Sequence, residues 1–221
     1  MKCNILIMIL SLVILQSCQP EPIINFTEAL QGCLTSEDIT LINKATAQFE
    51  KKLNDTYGIE NSNKNYISYL EDFSKMNLNP KFMIDSNSKS ILDDLKASGT
   101  FGKVWISISE LSTYKERNTE SMIIEFEPKE TTTNINIPLV DYICINPTGD
   151  FRKCIVLNNT IHNSLKDVID IQIKGPSLSY ALTSISVANS ISVKALDNNL
   201  NKVVIAMIFY YELIHLTNQN L

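Results

Sequence analysis

The chain has 221 residues, of which 44% are hydrophobic and 19% charged, with a formal charge of −5. Such a composition excludes a wholly disordered chain, and the intermixed acidic and basic residues leave no basic stripe to neutralise a phosphate backbone, so nucleic acid is not an expected partner. Asn-rich stretches such as Asn61-Ser62-Asn63-Lys64-Asn65 read first as the codon bias of an AT-rich genome.

The first element in chain order is an export signal: Met1 and Lys2, an apolar run from Ile5 to Leu15, then Gln16, Ser17 and Cys18. The run is about eleven residues, whereas a helix crossing the hydrocarbon core needs about twenty. Its end, Leu15-Gln16-Ser17-Cys18, resembles the lipobox of bacterial lipoproteins. The resemblance implies that residues 1–17 are cleaved and that Cys18 becomes the lipid-attachment residue, carrying a diacylglyceryl group and often a further acyl chain such as palmitate. The lipid bilayer is then a partner. Each buried methylene contributes about 0.8 kcal/mol, and two or more chains anchor stably where one is marginal. By the same resemblance, Gln19 after the cysteine points to the outer membrane where the cell has one. The polar, proline-interrupted Gln19-Pro20-Glu21-Pro22 opens an expected tether over residues 18–34, roughly 50 to 60 Å when extended. Residues 35–221 are left as one globular domain.

Within that domain, Thr35 or Ser36 as N-cap, Glu37 and Asp38 in the first turn and Gly58 as a stop predict a helix, with Ile42, Ala45, Phe49 and Leu53 on one core-facing side. A second helix is predicted at about Tyr66 to Met76, ending before Pro80, and a third from Ser88 to Ser98, closed by Gly99. Between Phe101 and Leu157, Val104-Trp105-Ile106 and Met122-Ile123-Ile124 fit short strands or irregular apolar segments equally well. Helical pattern resumes at Ser164 to Ile171, stops at Gly175-Pro176 and continues from Leu178 to Leu196. Asp197 is the expected cap of a last segment, Val203 to Leu216, apolar on nearly every face and read as the central buried helix; Glu212 and His215 make it a poor membrane span.

The expected fold class is mainly α, a compact multi-helix domain with room for a small β-hairpin around residues 139–157; α+β is the alternative. A capped first helix at Gly32-Cys33-Leu34-Thr35-Ser36-Glu37-Asp38 and a buried last one at Ile208-Phe209-Tyr210-Tyr211-Glu212 resemble uncharacterised envelope lipoproteins of Bacteroidota-type bacteria. No activity comes with that resemblance.

Beyond Cys3 and Cys18, three thiols remain. Cys144 and Cys154 flank Asn146-Pro147-Thr148-Gly149, a good type I turn, so a Cys144–Cys154 disulfide is the leading expectation, worth about 2 to 3 kcal/mol in an oxidising envelope. Cys33 paired with either one, or buried thiols, are the alternatives. Zinc fits poorly: no CxxC occurs, and His162 and His215 lack ligand spacing.

Catalytic signatures are scarce: there is no HExxH, GxSxG, Walker A or GxGxxG motif. Ser86-Asn87-Ser88-Lys89 and Ser112-Thr113-Tyr114-Lys115 spell SxxK without the SDN and KTG elements that would support it. Glu212 and His215 have the ExxH spacing of di-iron bundles, but Asn159 stands where a second motif ahead of His162 needs a glutamate. Glu125 and Glu127 are a potential acid–base pair or exposed carboxylates. Trp105, with Phe101 and Tyr114, would suit a sugar-stacking platform, with core packing the preferred reading. No catalytic residue, metal or cofactor is therefore expected. The leading function is a non-enzymatic binding module at the membrane surface, with a protein or a saccharide as ligand. The alternatives are an immunity or inhibitor lipoprotein against an envelope-targeted toxin, and a hydrolase whose pocket would gather Glu, His or Ser.

Overall fold

The computed structural model describes residues 24–58, 60–111, 142–174 and 180–219. Cys18, Tyr114, the Ser112–Lys115 motif, the apolar run at 122–124, Glu125 and Glu127 lie outside the described residues.

Helix α1 spans Ser36–Tyr57. Thr35 Oγ1 accepts the Asp38 N–H while Asp38 accepts the Thr35 N–H, a reciprocal cap that satisfies two otherwise orphaned donors. Gly58, at φ 97°, ends it in a left-handed conformation that side chains disfavour. Helix α2, Ser62–Ser74, starts earlier than expected because Asn61 caps it, accepting the Lys64 N–H at 3.1 Å. The break at Pro80 is instead the first residue of a one-turn helix α3, Pro80–Met83. Helix α4 is Ser86–Ala97, and α5 is Thr100–Val104. Strands β1, Trp105–Ser107, and β2, Ile143–Ile145, pair antiparallel with Trp105 opposite Ile145 and Ile106 opposite Cys144. Helices α6, Asp150–Leu157, α7, Asn163–Lys174, and α8, Tyr180–Ser190, follow. A 3-10 turn at Val193–Asp197 leads into α9, Asn199–Asn218.

The protein is thus mainly helical with a small two-stranded antiparallel sheet. The expected turn forms, with the Gly149 N–H bonded to the Asn146 carbonyl at 3.1 Å, but β2 pairs back to β1 and the chain beyond the turn coils into α6. Gly149 is required there by proximity: a Cβ at this position would collide with the Lys103 carbonyl of α5.

Two further expectations are corrected. Cys144 and Cys154 are both free thiols, and Cys154 of α6 is in hydrogen-bonding contact with the Cys33 thiol instead. Burial, then that contact, pushes the Cys154 thiol up to about 12. Residues 24–34, assigned above to the tether, instead pack onto the domain, with Phe26, Leu30 and Leu34 buried. Asn43 of α1 holds this strap by accepting the Phe26 N–H at 2.7 Å and donating to the Ile24 carbonyl at 3.2 Å.

Helix α9 is the centre of the core. It is long and apolar enough to cross a bilayer, yet 83% of its apolar window is buried inside the fold. Residues Ala206–Tyr211 form a wider π turn. Phe49 of α1 stacks on Tyr210 at 4.6 Å and meets Tyr69 edge-on at 4.9 Å. Each such buried aromatic contributes on the order of 2 to 3 kcal/mol. Their hydroxyls are satisfied, with Tyr69 donating to the Phe209 carbonyl and Tyr211 to the Ala45 carbonyl. Asn198, rather than Asp197, caps α9 by accepting the Leu200 N–H.

A polar clip ties the start of α1 to α5. Burial pushes the Asp38 carboxyl up, but Lys103 at 2.6 Å together with bonds from Thr35 and Thr100 outweighs it and holds the pKa at about 2. A carboxyl depressed on folding stabilises above its unfolded value and loses that contribution as pH falls through the folded one. Chemical denaturation is expected to find Asp38→Asn less stable by about 1 to 2 kcal/mol near neutral pH, the screening of half-exposed Lys103 included, with the gap closing toward pH 2. Gly149→Ala should lower stability by about 1 to 3 kcal/mol through its backbone clash, read as a drop in the denaturation midpoint.

Candidate functional site

A groove of about 1130 Å³ is lined by charged and amide side chains. One wall is the outer side of α1, where Lys44, Gln48, Lys51 and Asp55 recur at helical spacing. The amino end of α2 and Asn87 and Ser90 of α4 supply the others, and the strap residues Ile24 and Phe26 close one side. Gly58 makes this shape possible, because it reverses the chain so that the first turn of α2 returns beside α1.

The floor holds a buried ion pair. Lys202 of α9 donates to Glu50 Oε1 of α1 at 3.0 Å, with side chains only 9% and 7% exposed. Ser62, the first residue of α2, donates to the same carboxylate oxygen and lies 3.4 Å from the Lys202 Nζ. The ammonium also sits over the faces of Tyr66, at 5.5 Å, and Phe26, at 5.8 Å, as a cation over aromatic quadrupoles.

This floor has unused hydrogen-bonding capacity. Glu50 Oε2 and the Tyr66 hydroxyl are buried without a partner in the structure. Burial, then the Glu50 charge, pushes the Tyr66 phenol well above its usual range, so it remains an O–H donor. Lys202 is engaged by Glu50, and no histidine is among the residues lining the groove.

The residues singled out in the sequence lie elsewhere. Ser86 and Lys89 of the first SxxK motif are both exposed on α4, while Ser88 between them is buried and bonds Asp85 and Tyr210. His162 leads into α7, its ring nitrogen 2.8 Å from Ser164. His215 packs on the Phe101 ring at 5.6 Å, and its helical neighbour Glu212 accepts from Gln172. No group of three or more His, Cys, Asp or Glu side chains among the described residues could hold a metal ion. Trp105 is 1% exposed and packs on Phe101, which makes it core and removes it from any sugar-stacking surface.

Sequence reasoning missed Lys202, Glu50 and Ser62. Two signals were present. Lys202 is the one charged residue in the apolar stretch from Leu200 to Tyr211, and Glu50 falls beside Thr46 and Leu53 on the inner side of α1. Compared with known proteins, the chain matches no family model, no curated protein and no solved structure.

Removing one partner of a buried pair leaves an uncompensated charge, which costs about 3 to 5 kcal/mol, whereas apolar replacement of both is close to neutral. Lys202→Met and Glu50→Leu are each expected to lower stability by that order. The double variant should recover most of the loss in urea denaturation, and additive losses would show that the pair is not coupled.

Proposed function

We propose that this protein is an envelope lipoprotein, held to the membrane by acylated Cys18, that works as a non-enzymatic binding module with its ligand seated in the groove above Lys202 and Glu50. The observation that carries the groove reading is the buried pair itself. Burying an ion pair under a cleft is costly, and here one oxygen of Glu50, which lines the groove, has no protein partner. The lipidation reading rests on the lipobox resemblance at Leu15-Gln16-Ser17-Cys18, and the outer-membrane reading on Gln19.

The anchor and the groove meet in the strap. Ile24 lines the groove and is six residues beyond Cys18, so extended chain would span at most about 20 Å between lipid and groove. A ligand taken from the membrane surface or the adjoining wall is within reach of such a site.

Intact mass and detergent partitioning of protein from its native host, beside Cys18→Ala, test the anchor: acyl mass and detergent-phase partitioning are expected in the wild type only. An unmodified, water-soluble wild type would remove the lipoprotein reading. For the groove, Ala47→Trp fills the α1 wall without removing any hydrogen bond described above, and it should abolish capture of the envelope component that the wild type retains.

A further inference from the structure

We propose that the ligand of this groove is a neutral saccharide, a polyhydroxylated chain without ionised groups. This rests on the reading of the groove as a binding site and goes further by naming what it binds. Two independent features of the lining carry it.

The first is charge balance. Lys44, Lys51 and Lys202 are matched by Glu50, Asp55 and Glu60, three cations against three anions around one groove. An anionic glycan, a phosphate-bearing lipid headgroup or a strongly basic protein would find as much repulsion as attraction here, and no net field would steer it in.

The second is a set of side-chain amides, each fixed at one end with the other left over. Asn54 uses its Oδ1 to accept from Asn65 at 3.0 Å, and Asn61 uses its Oδ1 to accept the Lys64 N–H, so both retain N–H donors. Gln48 spends its Nε2 on Asp85 at 3.1 Å, and Asn63 spends its Nδ2 on Asp197 at 2.7 Å, so both retain carbonyl acceptors. The rotamers are therefore set before any ligand arrives, which lowers the entropy lost on binding. Two fixed donors and two fixed acceptors match hydroxyl groups, which both donate and accept. Ile24, 52% exposed at the rim, supplies apolar surface for the C–H face of a ring.

The test uses the lipidated full chain in detergent. Its probes are the neutral and anionic oligosaccharide fractions released from the host's own envelope, together with the intact envelope extract. The neutral fraction is expected to bind with an affinity that does not change with salt. Asn54→Asp keeps the acceptor for Asn65 but removes both donors and unbalances the charge, and should weaken binding at least tenfold. Ala47→Trp, and Ser90→Trp on the opposite wall, should abolish it, with unchanged thermal unfolding showing that these variants fold. If only the anionic fraction or only a protein is retained, and both tryptophan variants lose it, the saccharide assignment is overturned while the groove stands. If nothing binds, or binding survives both tryptophans, the groove reading falls and this inference falls with it.

Discussion

Through most of its length helix α9 has no side to give to water, and the rest of the fold follows from covering it. From Leu200 to Tyr211 every residue is buried, so α1, α2, α4 and α7 must each lay an apolar face against it. A helix enclosed in this way also forces its neighbours to satisfy whatever polar groups it carries. Tyr210 finds Ser88 at 2.8 Å and Asp85 at 3.2 Å, Tyr211 finds a carbonyl of α1, and Glu212 finds Gln172 of α7. Burial, chiefly, keeps the Tyr210 and Tyr211 phenols protonated far above neutral pH, so these bonds hold over the whole physiological range. Lys202 is the demanding case, because an ammonium cannot be satisfied by a carbonyl alone; it draws in Glu50 and Ser62, and the floor of the groove is the result.

The helical elements were legible because their local signals are self-contained. Thr35, Asp38 and Gly58 bracket α1, and Ile42, Ala45, Phe49 and Leu53 mark its inner side within a few turns of one another. The burial of the last helix was equally legible, since a run that is apolar all round has nowhere else to go. What failed were inferences that needed a partner distant in sequence. Cys144 and Cys154 are close along the chain, but β2 takes its partner from Trp105–Ser107, across 35 intervening residues from Ser107 to Ile143. The turn was read correctly and its consequence was not, because α6 rather than a return strand follows it.

The candidate site was almost invisible for the same reason. Glu50 and Lys202 are separated by 152 positions, so the local signal that sets each apart does not reveal that the two pair. The Asn-rich stretch at 61–65 was set aside as compositional bias, yet Asn61 caps α2, Asn63 ties it to the Val193–Asp197 turn and Asn65 clamps the Gly58 reversal. A biased composition supplies residues without assigning them work. In this fold three amides of that stretch came to rest where their hydrogen bonds fix the mouth of a groove.

Stability alone gives little reason for the Lys202–Glu50 pair to persist. An apolar pair of similar volume would suit the interior of α9 as well or better, since the desolvation of two ions offsets most of their attraction. A buried pair can instead fix register, and this one ties α9 to α1 at Lys202 and Glu50. Register could, however, be fixed anywhere along their contact, and Tyr211 already does so through Ala45. That the charged pair lies under the groove, with its second carboxylate oxygen still uncommitted, is unexplained by register. It is explained if the core helix also furnishes the floor of a binding site, so that one lysine both orients the fold and positions the carboxylate for a ligand.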